Sequence, residues 1–321
     1  MEATPRGRHT PRSFSAGDIS LVTVSYRDDL DLARELCRSV DTYLEPGAEH
    51  VLIVPRCDVA MFATLAAEHR RIVAVEDVLP RGYVKLPAPR HVRLGPFHRR
   101  IREIWASPVG IVRGWIVQQI VKMSAPAFTD REIVVFADSD IVLVAPLTVD
   151  RLTNGPCVRL YRLPGATADL PTHVGWHSVS ARLLGLEQRG YLGSDYIGNL
   201  ITWRRSNILL LQQRLAEVAG RRWDKEVARQ SDFSEYILYG IFADLVLDEA
   251  SGHDRTSEDL VHAGWFYDLH TPAGLEDFVH GFRPGQVGVA IQSTEAFALD
   301  ERRELVRRIV SEAARAGEPR G

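Results

Sequence analysis

Lysine and cysteine are scarce in this chain. Of its 39 basic side chains only Lys85, Lys122 and Lys225 are lysine, a bias we attribute to codon usage, though it makes each lysine worth accounting for. The three cysteines, Cys37, Cys57 and Cys157, lie far apart in sequence, which excludes a disulfide framework and a paired zinc knuckle. A net charge of −3 over 321 residues excludes the dense basic surface that nucleic acid requires. No apolar run approaches the roughly 18 residues of a membrane span. There is no G-x-G-x-x-G fingerprint, Walker A loop, G-x-S-x-G elbow or H-E-x-x-H pair, so dehydrogenase, P-loop NTPase, serine hydrolase and zincin readings lose their support. Residues 1–17 are rich in Pro, Arg, Ser and Gly and carry no apolar h-region. They predict a disordered tail, not a secretion signal, and a cytoplasmic location follows as the default.

What remains is an ordinary globular composition, 45% hydrophobic and 25% charged, enough for a full core. Ile19–Val24, His50–Pro55 and Arg71–Val75 read as short apolar strands. Between them, Asp31–Tyr43 and Val59–His69 have helical spacing. This alternation predicts an α/β fold with a parallel sheet covered by helices. Residues 78–110, with five prolines, read as loop-rich. Val112–Met123 returns to helix, with Gly114, Gln118 and Lys122 on one face and Gln119 beside them. Glu132–Ala137 is strand-like and runs into Asp138-Ser139-Asp140, and Ile141–Ala145 follows as a second apolar run. The second half is less regular. Strands are expected at Val158–Arg162 and Ile197–Trp203. Helices are expected at Val179–Leu186, Asn207–Val218, Phe233–Leu247 and, charged and amphipathic, Asp300–Ala316.

The leading chemical candidate is Asp138-Ser139-Asp140. On extended backbone two carboxylates two residues apart point to one side, and ligands of open α/β sheets bind beyond the carboxyl ends of strands. Such a pair suits Mg²⁺ or Mn²⁺ shared with substrate phosphates. The alternative is a polar strand-exit turn, and Asp29-Leu30-Asp31 matches the same short pattern. Gln118, Gln119 and Lys122 could hydrogen-bond a diphosphate or a sugar, or could be a solvated helix face. Asp232 and Glu235 have capping-box spacing, so Glu235 either caps its own helix or serves as a carboxylate base, with Tyr239 one turn on. Trp176 and Trp203 offer aromatic faces for a sugar ring. None of the eleven histidines forms a compact motif, but His262, after a short apolar step, could complete a metal site.

Taken together, several segments resemble a glycosyltransferase of the GT-A fold. They are Thr23-Val24-Ser25-Tyr26, Gly114-Trp115-Ile116-Val117-Gln118-Gln119 with Lys122, and Asp138-Ser139-Asp140. Further on come Asp195-Tyr196-Ile197-Gly198-Asn199 with Trp203-Arg204-Arg205, and Ser234-Glu235-Tyr236 with Leu238-Tyr239-Gly240. The nearest likeness is to a bacterial family of uncharacterised glycosyltransferase-like proteins, over roughly residues 18–270. The resemblance implies a Rossmann-like, mixed sheet flanked by helices. It implies one catalytic unit over 18–321, with a nucleotide-sugar half (18–146), an acceptor half (147–299) and a terminal helix (300–316). It implies donor contacts from Thr23, Ser25, Tyr26, Gln118, Gln119, Lys122, Asp138 and Asn199, and Mn²⁺ or Mg²⁺ on Asp138, Asp140 and His262. It implies acceptor contacts from Trp176, Asp195 and Tyr239, with Glu235 as the base of an inverting transfer. The expected donor is a nucleotide diphosphate sugar, a UDP-hexose foremost, and the acceptor is a hydroxyl of a glycan precursor or small natural product. Neither nucleic acid nor a membrane span is expected, and a homodimer is compatible with this scheme. The rivals are a retaining transferase and a noncatalytic sugar-binding protein. A nucleotidyltransferase is a third, but the glycine-free Ser25–Asp28 loop disfavours it.

Overall fold

Short β-branched runs become the central strands of the computed structural model, which describes residues 13–87, 91–94, 97–100, 103–188, 190–295 and 297–317. Strands β1 (Ile19–Val24), β2 (Glu49–Val54), β3 (Arg70–Ala74), β4 (Ile133–Phe136) and β5 (Ile201–Arg204) form one sheet in the order β5-β4-β1-β2-β3. β1 runs parallel to β2 and β4, β2 runs parallel to β3, and β5 is antiparallel to β4. Both faces are covered, which is why these strands read as unbroken apolar runs. The period of two still sorts the side chains. Ile19, Leu21, Ile133 and Val135 pack with Leu36 and Val40 of helix α1 (Leu30–Tyr43). Val22, Val51, Ile53, Val134 and Phe136 face the other way, onto Ile116 and Ile120 of helix α2 (Gly114–Met123). The mixed α/β architecture, mainly parallel and flanked by helices, is the one the sequence pattern predicts.

Several elements differ from expectation in extent. The helix expected from Val112 starts at Gly114, because Gly110–Arg113 is a strand paired with Ile104–Ser107. The segment 78–110 is therefore less loop-like than its prolines suggest, although residues 88–90, 95–96 and 101–102 lie outside the described ones. Val59–His69 breaks into a one-turn helix, Val59–Phe62, and a 3-10 turn, Ala63–Leu65. Ile141–Leu143 does not extend the main sheet. It pairs with Gly288–Ala290, which pairs in turn with Val261–Ala263. The short helix expected at 179–186 begins earlier, as α3 (Pro171–Leu183), with proline in its first turn. Helix α4 spans Arg205–Ala219. The run 233–247 divides into α5 (Glu235–Ile241) and a π-helical turn, Phe242–Leu247. There Asp244 accepts Arg162 and Tyr196 and pairs with Arg255. Helix α6 (Pro272–His280) packs against α7 (Leu299–Gly317). Of the tail expected over 1–17, residues 1–12 lie outside the described ones. Ala16–Asp18 is a hydrogen-bonded turn and Phe14 packs on the core.

Candidate functional site

The chain leaves β1 toward β2 and β3 on one side and returns to β4 on the other, so the β1–β4 boundary is the point where strand order reverses. In open α/β sheets the crevice beyond the carboxyl ends at such a point is where ligands bind. Two serines close its floor. Ser25, buried just past β1, accepts a 2.8 Å hydrogen bond from Ser139, buried just past β4. Ser139 is flanked by the two carboxylates. The backbone here is not strand: β4 ends at Phe136 and Ser139-Asp140 is a turn. The two side chains consequently do not share one extended face. Asp138 is exposed, whereas Asp140 is half-buried, with Oδ2 accepting Ser293 N–H at 2.8 Å. They still feel each other: burial first, and the negative charge of Asp138 second, push the Asp140 carboxyl up to about 6.

Beside them α2 delivers Lys122, which is buried rather than on a solvated helix face. Its Nζ donates to Tyr236 Oη at 2.6 Å, lies 3.0 Å from Glu235 Oε1 and 3.7 Å from Asp138 Oδ1, and stands over the Tyr236 ring at 4.3 Å. Burial alone would lower the Lys122 ammonium. Tyr236 and the Glu235 and Asp138 carboxylates outweigh it, and the group stays well above the ordinary lysine range. Burial likewise keeps the Tyr236 phenol protonated. Glu235 is free for this pairing because the capping box its spacing with Asp232 allows does not form. The N-cap is Ser234, whose hydroxyl accepts Ile237 N–H, and Asp232 instead accepts Trp176 Nε1–H at 2.8 Å. One exposed carboxylate, one half-buried carboxylate and a permanently charged ammonium thus meet at one sheet end.

The other expected residues divide. Tyr26 is half-buried directly after Ser25. Asn199 is buried, with its Nδ2 unpartnered. Ile201 pairs antiparallel with Phe136, so the residues just before Ile201 run alongside those leaving β4 toward Asp138. Gln119 is buried with both amide atoms unpartnered, while Gln118 on the adjacent face is exposed. Trp176 lies 6.1 Å from Trp115 and 4.8 Å from His173, ring to ring, and His173 Nδ1 is 2.8 Å from Asp195 Oδ2.

Three residues are committed elsewhere. Thr23 faces α1, where its hydroxyl accepts His50 Nε2–H at 3.1 Å; His50 Nδ1 takes Arg70 Nε–H. Tyr239 is fully buried, stacks on Trp203 at 4.4 Å, accepts Arg204 N–H and donates to His253 Nε2. Neither it nor the buried Trp203 can meet an acceptor. His262 donates to Phe278 O at 2.7 Å and packs against Phe278 and Tyr267. No group of three His, Cys, Asp or Glu able to hold a metal occurs among the described residues, so His262 does not complete a site with Asp138 and Asp140. The sequence pattern assigns no role to Tyr236 or His173. Tyr236 could have been flagged by its place next to Glu235. His173 is brought to Asp195 only by the packing of α3.

Two neighbouring carboxylates, with the remaining positions left to water or phosphate oxygens, are the donor set that Mg²⁺ and Mn²⁺ accept when they are shared with a substrate. The mutual charge of Asp138 and Asp140 fits a cation there. Among the described residues no helix is long and apolar enough to cross a membrane. Residues 18–307 match the model of a family of unknown function, DUF6492, and the chain belongs to that family. No curated protein matches it.

Proposed function

We propose that this member of a family of unknown function is a metal-dependent glycosyltransferase of the GT-A type, with a nucleotide diphosphate sugar as donor. The observation that carries the reading is the meeting of Asp138, Asp140 and the buried Lys122 at the carboxyl end of the β1–β4 switch point. A diphosphate needs cations around it, and that crevice supplies one ammonium and the carboxylates to hold another. Asp138 and Asp140 would hold Mn²⁺ or Mg²⁺, which when bound would neutralise charge on the departing diphosphate. Lys122, kept charged by Glu235 and Asp138, would meet a phosphate oxygen from the other side. Donor binding would draw it away from Asp138, the more distant and more exposed of its two carboxylates. Ser25, Tyr26 and Asn199 would border the donor, and Gln119 and Trp176 the sugar and acceptor.

Glu235 fits the role of base less well than the sequence suggests. A proton on it would leave the buried ammonium without its nearest counter-charge, which is costly. We therefore assign Glu235 to holding Lys122. The test is a panel of nucleotide sugars, UDP-hexoses first, titrated by calorimetry with and without Mn²⁺. Metal-dependent binding of one donor is expected, and its loss in Asp138→Asn. Equal affinity of Asp138→Asn, Asp140→Asn and the parent would remove the metal site from the reading. NMR of the product anomer separates inversion from retention.

A further inference from the structure

We propose that His173 and Asp195 form the proton acceptor for the attacking hydroxyl, a proposal that rests on the transferase reading above. Asp195 is buried and fully committed to orientation. Its Oδ1 accepts Ile197 N–H at 2.8 Å, its Oδ2 accepts the Thr167 hydroxyl at 2.6 Å, and His173 Nδ1 lies 2.8 Å from the same Oδ2. Thr167 reaches that carboxylate from φ +62°. A β-branched residue in this region is strained and persists only where its surroundings demand it. The demand is visible: Leu163 and Pro164 pair with Asp195 and Ser194, and Tyr191 Oη donates to Ala166 O. The loop is strained in order to aim one hydroxyl at one carboxylate.

His173 sits in the first turn of α3, after Pro171. Its Nδ1 is buried and its approach to Asp195 is close but bent, as catalytic contacts often are before substrate arrives. Nε2 has no partner among the described residues, and the side chain keeps 19% exposure. With the Nδ1 side turned to Asp195, Nε2 is the nitrogen left to take a proton. His177, one turn on, cannot substitute. It is fully buried, its Nδ1 accepts Leu192 N–H, and burial pushes it down to about 4.

An aromatic wall joins the pair to the donor cluster. The His173 ring contacts Trp176, which contacts Trp115 in the first turn of α2. Trp115, Gln119 and Lys122 follow at i, i+4 and i+7 on one side of that helix. Gln119, between them, holds an unsatisfied donor and acceptor, the pair that a sugar hydroxyl satisfies.

In the step, the acceptor O–H proton passes to His173 Nε2 as that oxygen bonds to the anomeric carbon. The bond from that carbon to the β-phosphate oxygen breaks, and its electrons leave with the nucleoside diphosphate, whose charge Lys122 meets. Asp195 stays ionised and stabilises the imidazolium, which returns its proton to solvent. Asp195 is a positioning residue and His173 the catalytic one.

The experiment measures nucleoside diphosphate released from the UDP-hexose panel with Mn²⁺, water serving as acceptor, alongside donor affinity by calorimetry. His173→Ala and Asp195→Asn should bind donor within about threefold of the parent and release product at least about a hundredfold more slowly. Added imidazole should restore His173→Ala but not Asp195→Asn, a readout a structural role would not move. His173→Gln, slowed equally, guards against a folding defect in the alanine variant. A parent that neither binds nor cleaves any donor overturns the transferase reading and the base with it. An active parent whose His173→Ala and His173→Gln forms are equally active overturns the base alone.

Discussion

Replacing Glu235 by glutamine tests the electrostatics of the site without any substrate. In the parent the Lys122 side chain is 11% exposed and that of Glu235 7%. The substitution removes the nearer counter-charge of a buried ammonium and keeps the shape. Breaking a buried pair from one side costs about 3–5 kcal/mol. Asp138 remains 3.7 Å from the ammonium, but at 59% exposure it is a weaker, better screened partner. Tyr236 keeps its hydrogen bond. We therefore expect the low end, about 3 kcal/mol. Unfolding entropy of about 2.1 cal/mol/K per residue, or about 0.67 kcal/mol/K over a chain of this length, turns that into a Tm drop of about 4.5 °C. Lys122→Met removes the charge that needs compensation. The double variant Lys122→Met/Glu235→Gln should therefore be more stable than Glu235→Gln alone, with a coupling of at least about 1 kcal/mol. The assay is thermal unfolding at pH 7.5 by calorimetry, without nucleotide. A Glu235→Gln protein melting within a degree of the parent, or effects that simply add, would mean that Lys122 is not held by Glu235 as described.

Three further outcomes are expected. Asp138→Asn and Asp140→Asn should each keep the parental Tm within about 2 °C, since neither is a core ion pair, while losing Mn²⁺-dependent UDP binding in calorimetry; unchanged binding in both would remove the metal from the scheme. A Cβ at Gly240 would run into the Tyr196 ring, so Gly240→Ala should cost at least about 2 kcal/mol in denaturant melts, and Tyr196→Ala in the same chain should return part of it. His177 and His253 are pushed down to about 4, and His50 well below the ordinary range, burial being the first cause in each. Between pH 6.5 and 4 these histidines take up protons in the unfolded chain and refuse them in the native one, so their contribution to stability falls with pH through that window, opposed in part by Asp140 and Asp259, whose carboxyls burial pushes up to about 6. Each of His177 and His253 withdraws about 2 kcal/mol by pH 5, and imidazole NMR signals of these two residues titrating near pH 6.5 in the folded protein would contradict their buried neutral state.

Local pattern was enough for the parts of this protein that follow from local pattern. Apolar runs of four to six residues alternating with amphipathic stretches dictate a covered, mainly parallel sheet, because both faces of such strands must be buried. The abrupt change from Ile133–Ala137 to Asp138-Ser139-Asp140 marks a strand end with charge beyond it, and that end lies at the switch point. What the pattern could not carry is partnership across the chain. Lys122 and Glu235 are 113 positions apart, and only the packing of α2 against α5 makes a buried ion pair of a lysine that reads as a phosphate ligand or a solvated face and a glutamate that reads as a cap or a base. Helical spacing pointed to Tyr239, at i+4 from Glu235, yet the structure buries Tyr239 on Trp203 and gives the neighbouring Tyr236 to Lys122. Which side of α5 faces the cleft was set by its neighbours, not by its own period. His262 follows a short apolar step that marks a strand, but the small sheet that holds it turns its ring into the Phe278 and Tyr267 cluster. His173 carries no sequence signal at all. Its meeting with Asp195 depends on a strained Thr167 and on the docking of α3, because a contact between distant residues is a property of the packed chain and of no segment within it.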